Sequence, residues 1–197
     1  MKIYLNKKEV GEKFQSLALP ELLKKIKDDL ENEILKQIFI NEVEVNEKYL
    51  KESLINKEDI DEIRFVTQRT EDLIKETLQE ADDYLPKLKK GILKTVKHFR
   101  DDELQKANNN YQNILEGIEW YLDVVNKIIS IFDDEELYDD YQKSVKNINE
   151  KLTELMVSYK KEDMVLVADI LEYEITEYID NFIEFNKKVK LKYNEFY

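Results

Sequence analysis

The sequence predicts an α+β protein that is mostly α, with a small α+β domain at residues 1–68 followed by an antiparallel four-helix bundle at residues 69–197. Short β-branched and aromatic runs separated by turn residues fill the first part, as in small sheets. In the second part apolar residues recur at alternating steps of three and four, which is the period of long amphipathic helices. The 197 residues include only three Gly and two Pro, so we expect long uninterrupted elements.

The first domain contains signals for both strands and helices. Pro20 suits the first turn of a helix, and Asn41-Glu42 suits the loop of a tight hairpin, because Asn tolerates positive φ. This order of elements resembles β-grasp (ubiquitin-like) domains, which are usually interaction modules; the alternative is a small α+β domain that covers part of the helical domain. The predicted elements are strands at 2–6 and 10–14, a helix at 19–30, hairpin strands at 37–40 and 43–45, a short helix at 49–54 and a strand at 63–66.

The second domain has four apolar stripes, which predict helices at 70–99, 104–132, 137–159 and from 164 towards the end of the chain. Thr70 and Asp163 are candidate N-caps, because their side-chain oxygens can accept a backbone N–H of the first turn. Pro86 lies inside the first stripe and is expected to kink or split that helix. The breaks between stripes are short and polar, which favours antiparallel neighbours.

The fourth helix is predicted to be the most deeply buried. Its first two turns, from Met164 to Leu171, are apolar nearly all round, so neighbouring helices should cover this segment on most sides. Asp169 is the exception, and a charge in apolar surroundings costs free energy unless it is paired. We expect a hydrogen bond or ion pair to another helix, with exposure at a groove or a functional carboxylate as the alternatives. The stripe of this helix consists of Met164, Ala168, Leu171, Ile175, Tyr178, Phe182, Phe185 and Val189.

The charge of the chain narrows the classes of partner. The net charge is −13, and the part from Gln68 onward carries 19 basic and 29 acidic side chains. An acidic surface disfavours nucleic acids and anionic membranes, which both need cationic side chains, and leaves a basic protein partner open. Without Cys there are no disulfides or thiolate sites. With neither an apolar leader nor a long apolar stretch, we expect a cytoplasmic protein.

Two pairs of carboxylates suggest an alternative chemistry. Glu116 and Glu119 lie one turn apart, as do Asp169 and Glu172, so an interior carboxylate site for Mg²⁺, Ca²⁺ or a small molecule is conceivable. His98 is the only histidine, which rules out the paired Glu-x-x-His motifs of di-iron bundles. The favoured prediction contains no metal and no cofactor, with these acids at the flanks of the bundle or hydrogen-bonded to tyrosines and Trp120.

The favoured function is a non-enzymatic protein-interaction module, either an adaptor or a chaperone-like bundle. The twelve tyrosines are interleaved with acids, and aromatic residues at a bundle rim can be partner hot spots, although ordinary core packing is the alternative. Gly117 weakens a helix by about 1 kcal/mol relative to Ala, which indicates close approach, room for a large neighbour such as Trp120, or a ligand cleft. A homodimer through the fourth helix is a further alternative. The candidate partner-binding residues are Trp120, Asp169, Tyr173 and Tyr178.

Three short segments, Tyr84–Pro86, Leu115–Trp120 and Ala168–Glu174, resemble an uncharacterised family of Firmicutes proteins in which a small N-terminal domain precedes a helical domain. This resemblance covers most of the chain and implies no known activity. By architecture the helical part is also similar to bacterial flagellar export chaperones, which are acidic bundles that hold partner helices. The β-rich N-terminal part departs from that second likeness.

Overall fold

The computed structural model describes residues 1–14, 16–52 and 55–197, and the chain divides into two compact units, Met1–Leu73 and Ile74–Tyr197. A mixed sheet near the N-terminus is followed by a helical region, which confirms the predicted mixture of α and β structure. The described strands are β1 (Lys2–Leu5), β2 (Lys8–Glu9), β3 (Glu33–Ile40), β4 (Val43–Val45) and β5 (Glu62–Arg69). The described helices are α1 (Leu19–Asp28), α2 (Glu47–Lys51), α3 (Thr70–Arg100), α4 (Leu104–Phe132), α5 (Glu135–Lys160), α6 (Met164–Asp169) and α7 (Thr176–Phe196).

Within the described residues, five strands form one sheet in the order β2-β1-β5-β3-β4. β1 pairs with β5 in parallel, and the other neighbours are antiparallel. The buried residues of α1 and of the central strands form one apolar cluster. Alternate residues of the central strands, such as Ile63 and Phe65, enter this core because side chains of a strand alternate between its faces.

The predicted hairpin at Asn41-Glu42 is confirmed. β3 and β4 pair across these two residues, and both have positive φ, 46° and 68°, as in the tight turns that match strand twist. The Asn41 side chain also fixes a neighbouring segment: its Oδ1 accepts the backbone N–H groups of Asp61 at 2.9 Å and Glu62 at 3.1 Å. Asn at this position therefore supplies both the turn conformation and the contact to β5.

Two predictions for the first unit need correction. The partner of β1 is Lys8–Glu9 rather than 10–14, because Asn6 adopts a φ of 56° and turns the chain earlier; residues 11–13 form a 3₁₀ turn instead. The short helix runs from Glu47 to Lys51, because Asn46 caps it by accepting the Tyr49 N–H at 3.0 Å. The predicted end of that helix, Leu54, lies outside the described residues.

The predicted breaks between the long helices are confirmed at residues 101–103, 133–134 and 161–163. Each break holds one acidic residue in the left-handed region: Asp102 with a φ of 59°, Asp133 with 51° and Glu162 with 59°. A left-handed residue lets the chain leave one helix and reverse within a few residues. Asp163 then caps α6 as predicted, since its Oδ1 accepts the Leu166 N–H at 3.0 Å.

Pro86 does not split the first long helix, since α3 is continuous from Thr70 to Arg100. Its ring removes one backbone hydrogen bond, while buried Leu85, Leu88 and Ile92 hold the helix on both sides of it. Thr70 is not the predicted N-cap. Its hydroxyl donates to the Asn32 carbonyl at 3.2 Å, because β5 runs directly into α3 without a free capping position.

The start of the last helical stretch is less buried than predicted. Val165 is 73% exposed and Leu166 is 40% exposed, because this turn directly follows the break at 161–163. Burial begins at Val167 and Ala168. Residues 170–175 then form a π-helical segment that joins α6 to α7. None of the helices in the described ranges has the length and apolar character that a membrane span requires.

The left-handed Glu162 generates a stability prediction. An L-residue with a side chain pays about 1–2 kcal/mol in this region, and glycine avoids that cost but loses about 0.5–1 kcal/mol of chain entropy on folding. Glu162→Gly should therefore raise the free energy of unfolding by up to about 1 kcal/mol in urea titrations. Glu162→Ala is the matched control and should not stabilise. Equal stabilisation by both variants would refute the conformational explanation.

Candidate functional site

A groove between α3 and α4 forms a concave surface on the helical unit, with a volume of about 670 Å³. It runs over eight residues of each helix, 80–87 and 113–120, which extend about 10 Å from first to last. Carboxylates, an amide and aromatic rings share its lining. The lining residues are Glu80, Asp83, Tyr84 and Lys87 of α3, and Asn113, Glu116, Gly117 and Trp120 of α4.

Gly117 allows the groove to have its shape. A Cβ atom at this position would overlap the Tyr84 hydroxyl and would lie 3.1 Å from Tyr84 Cζ and 3.2 Å from Leu88 Cδ1. The large neighbour that the glycine accommodates is therefore Tyr84 from the adjacent helix rather than Trp120. The missing side chain lets the phenol lie directly against the backbone of α4.

Tyr84 and Trp120 form an aromatic pair in this groove. Their ring centroids are 5.1 Å apart and the rings are inclined at 75°, which is the edge-to-face arrangement that aromatic quadrupoles favour. Both side chains are half-buried. Burial, and then the charge of Glu116, raise the pKa of Tyr84 above its ordinary value. The Tyr84 hydroxyl therefore stays protonated at neutral pH and can donate a hydrogen bond.

The groove carboxylates lack internal cation partners. Within the described part of the chain, Glu80, Asp83 and Glu116 form no ion pair, and Glu116 accepts only the Gln112 amide, at 2.9 Å. Some acids elsewhere on the helical unit are ion-paired, as Asp180 is with Lys89 at 2.5 Å. The described lining therefore keeps an excess of negative charge around the aromatic pair, with Lys87 as its single cation.

Asp169 lies in a different constellation, an ion-pair cluster around Arg100. Arg100 Nη2 lies 2.9 Å from Asp169 Oδ1 and 2.5 Å from Glu172 Oε2. The hydrogen bonds to Glu172 and Asp169 raise the pKa of Arg100 above its ordinary value. Asp169 has the ion pair to another helix that the sequence predicted, and it is half-exposed rather than enclosed.

The four predicted partner-binding residues are therefore not brought together as one site. Trp120 lines the groove, whereas Asp169 belongs to the Arg100 cluster. Tyr173 is 65% exposed and contributes to the raised pKa of Arg100. Tyr178 is half-buried against the helical core. Of the groove lining that the structure describes, the sequence prediction named Trp120 alone as a partner contact.

The four carboxylates of the alternative metal site do not form one cluster. Glu116 and Glu119 are exposed on α4, while Asp169 and Glu172 bind Arg100. Across residues 1–14, 16–52 and 55–197, no group of three or more His, Asp or Glu side chains is arranged to hold a metal ion.

Sequence reasoning missed Tyr84, Glu80 and Asp83 as site residues. Glu80, Asp83 and Lys87 lie at steps of three and four on α3, which is the spacing of one helix face. The interior glycine of α4 was the available signal, because an unfilled position on one helix calls for a large side chain on the neighbour. The pairing of Gly117 with Tyr84 needed the register between helices, which a single sequence does not contain.

The Gly117 contact generates the second prediction. In a helix interior, glycine to alanine gains about 1 kcal/mol of propensity, and Gly91 of α3 has no neighbour within 4 Å of an added Cβ. Gly91→Ala should therefore stabilise by about that amount. Gly117→Ala should gain little or nothing, because Tyr84 must leave its place, and Trp120 fluorescence should change. Urea unfolding followed by Trp fluorescence and circular dichroism gives both readouts.

The matched control is a double-mutant cycle. In a Tyr84→Ala background the main obstruction is gone and only Leu88 Cδ1 stays close, at 3.2 Å, so Gly117→Ala should stabilise by up to about 1 kcal/mol. If Gly117→Ala stabilises the wild-type chain as strongly as the Tyr84→Ala chain, the two positions are not in contact.

Comparisons with known proteins bear on the helical part. No curated protein and no solved structure matches the chain significantly. Residues 76–185 match the family described as "Domain of unknown function (DUF8042)". This span is more than half of the 197-residue chain and contains the whole groove lining, the Arg100 cluster and the three segments on which the resemblance to an uncharacterised family rests. The chain therefore belongs to the DUF8042 family.

Proposed function

We propose that this chain is a non-enzymatic protein-interaction module, an adaptor or chaperone-like protein, which binds a helical segment of a partner in the α3/α4 groove. The observation that carries the proposal is the groove itself. It combines a half-buried aromatic pair with a polar rim, and such aromatic anchors in a groove are typical of binding hot spots. Its length of about 10 Å corresponds to two turns of a bound helix.

The geometry favours a helix over a compact ligand. The groove lies between α3 and α4 and follows both helices. Amphipathic helices bind such grooves through side chains at steps of three, four and seven. A small molecule usually needs an enclosed cavity that buries most of its surface. The acidic character of the part from Gln68 onward, with 19 basic and 29 acidic side chains, supports a basic partner.

The assignment of each unit to a fold class is also part of this proposal. We assign the first unit to the β-grasp (ubiquitin-like) class, supported by the order β2-β1-β5-β3-β4, the parallel β1–β5 pair and a helix between β2 and β3. We assign the helical unit to antiparallel four-helix bundles, counting α6, the π segment and α7 as one helix. The short breaks support that assignment. A cytoplasmic location and an origin in Firmicutes complete the proposal.

Site-specific photo-crosslinking in native lysate tests the proposed function. Asn113 lines the groove and is exposed, so replacing it by photoreactive benzoylphenylalanine in the full chain should give a crosslink to a defined partner. The same replacement at exposed Gln142 of α5, which does not line the groove, is the matched control. Mass spectrometry of the crosslinked peptide should identify a helical segment in the partner.

Three outcomes contradict the proposal. Crosslinks of equal yield from Asn113 and Gln142 would indicate non-specific contact. A crosslink to a second copy of this chain would replace a partner protein by self-association, which light scattering would confirm. A groove that gives no crosslink in lysate, while a Tyr84→Ala variant behaves as wild type in cells, would remove the basis for a binding role.

A further inference from the structure

We infer that the partner helix places an arginine side chain in the α3/α4 groove, over the Tyr84–Trp120 pair and among Glu80, Asp83 and Glu116. This inference rests on the proposed function and deepens it by naming the chemistry of the occupant. It depends on three features of the groove: its uncompensated charge, its aromatic pair, and its difference from the other groove of the same unit.

The charge of the groove calls for a cation from outside the chain. Three carboxylates and one ammonium group, that of Lys87, line it, so the lining has an excess of two negative charges. Within the described residues none of these carboxylates forms an ion pair. These carboxylates are exposed, so a cation placed there gains an attraction that added salt screens.

A second groove, between α5 and α7, provides the comparison. It has a volume of about 300 Å³ and is lined by acids and lysines. Both of its lysines are ion-paired within the groove, because Lys192 binds Asp134 at 2.7 Å and Lys188 binds Asp140 at 3.1 Å. Both grooves carry an excess of two negative charges, but the lysines of the α5/α7 groove are held by its own carboxylates. Within the described residues, Lys87 forms no ion pair with the carboxylates of the α3/α4 groove.

The aromatic pair selects arginine among the cations. Both rings line the groove and are only half-buried, so part of their surface is open to a ligand there. A guanidinium group stacks on aromatic faces, is weakly hydrated, and presents several N–H donors in one plane to neighbouring carboxylates. A lysine ammonium is a compact, strongly hydrated charge that gains less from a flat aromatic surface. Neutral apolar side chains would leave the carboxylate rim unused.

Trp120 is the only tryptophan of the chain, so its fluorescence reports on this groove directly. The full chain is titrated with a short alanine-based helical peptide that carries arginine at its centre, and with peptides carrying citrulline, lysine or glutamate instead. The arginine peptide should change Trp120 fluorescence and bind about tenfold more tightly than the citrulline peptide, which has the same shape without the charge. Anisotropy of fluorescein-labelled peptides gives the affinities independently of Trp120.

Charge variants of the protein test the same contact from the other side. Glu116→Gln and Glu80→Gln should each weaken the arginine peptide roughly three- to tenfold, and added salt should weaken the wild-type complex. Glu119→Gln is the matched control, because Glu119 is exposed on α4 and does not line the groove. It should leave the affinity unchanged. Circular dichroism confirms that the variants are folded.

The outcomes separate this inference from the proposed function. Equal binding of the arginine and citrulline peptides, or of the arginine and lysine peptides, overturns the arginine assignment and leaves a groove that binds helices. If no peptide binds but Asn113 gives a specific crosslink, the arginine assignment is likewise overturned and a groove that binds helices remains. If the arginine peptide binds but no protein is crosslinked in lysate, the proposal of a partner helix is overturned instead. Equal loss of affinity in Glu116→Gln and Glu119→Gln shows a general field effect and refutes the groove contact.

Discussion

The helical region depends on the buried face of its last helix, which contacts each of the other long helices. Asn186 is fully buried and its Nδ2 donates to the Leu78 carbonyl of α3 at 3.1 Å and to Asp82 Oδ1 at 2.6 Å. From α4, the Tyr121 hydroxyl donates to the Phe182 carbonyl at 2.9 Å, and Phe185 packs against Tyr141 of α5. Apolar burial drives this packing, while the buried polar contacts allow only one register, since a shift would leave them unpaired.

This register also determines which side chains meet at the surface of the helical unit. With α3 and α4 each fixed against α7, Tyr84 and Gly117 face one another and the phenol fills the space of a missing side chain. Trp120 then meets the Tyr84 ring at 5.1 Å. Glu80 and Asp83 flank Tyr84 by helical spacing alone. A groove with a half-buried aromatic pair thus arises at the edge of the helical core.

The sequence correctly predicted the features that depend on residues close together in the chain. The long helices, their breaks, the Asn41 hairpin and the Asp163 cap all follow from apolar period, turn residues and capping chemistry within a few neighbours. It failed where the outcome depends on contacts between distant segments. Thr70 is not a cap because Asn32 takes its hydroxyl, and Val165 is exposed because no neighbour covers that turn. The groove was missed for the same reason: Trp120 was predicted, while its partner Tyr84 depends on helix register.

The π segment explains a row of buried residues whose spacing does not fit a regular α-helix. Val167, Leu171, Ile175 and Ile179 are all fully buried, at three successive steps of four. In an α-helix of 3.6 residues per turn, each such step rotates the side chain by about 40°, so the row would leave the core. The π segment at 170–175 has a wider turn, which keeps the row on one face. Ion pairs from Arg100 to Glu172 and from Lys151 to Glu174 hold this segment from α3 and from α5. The π segment therefore keeps this row buried from Val167 in α6 to Ile179 in α7.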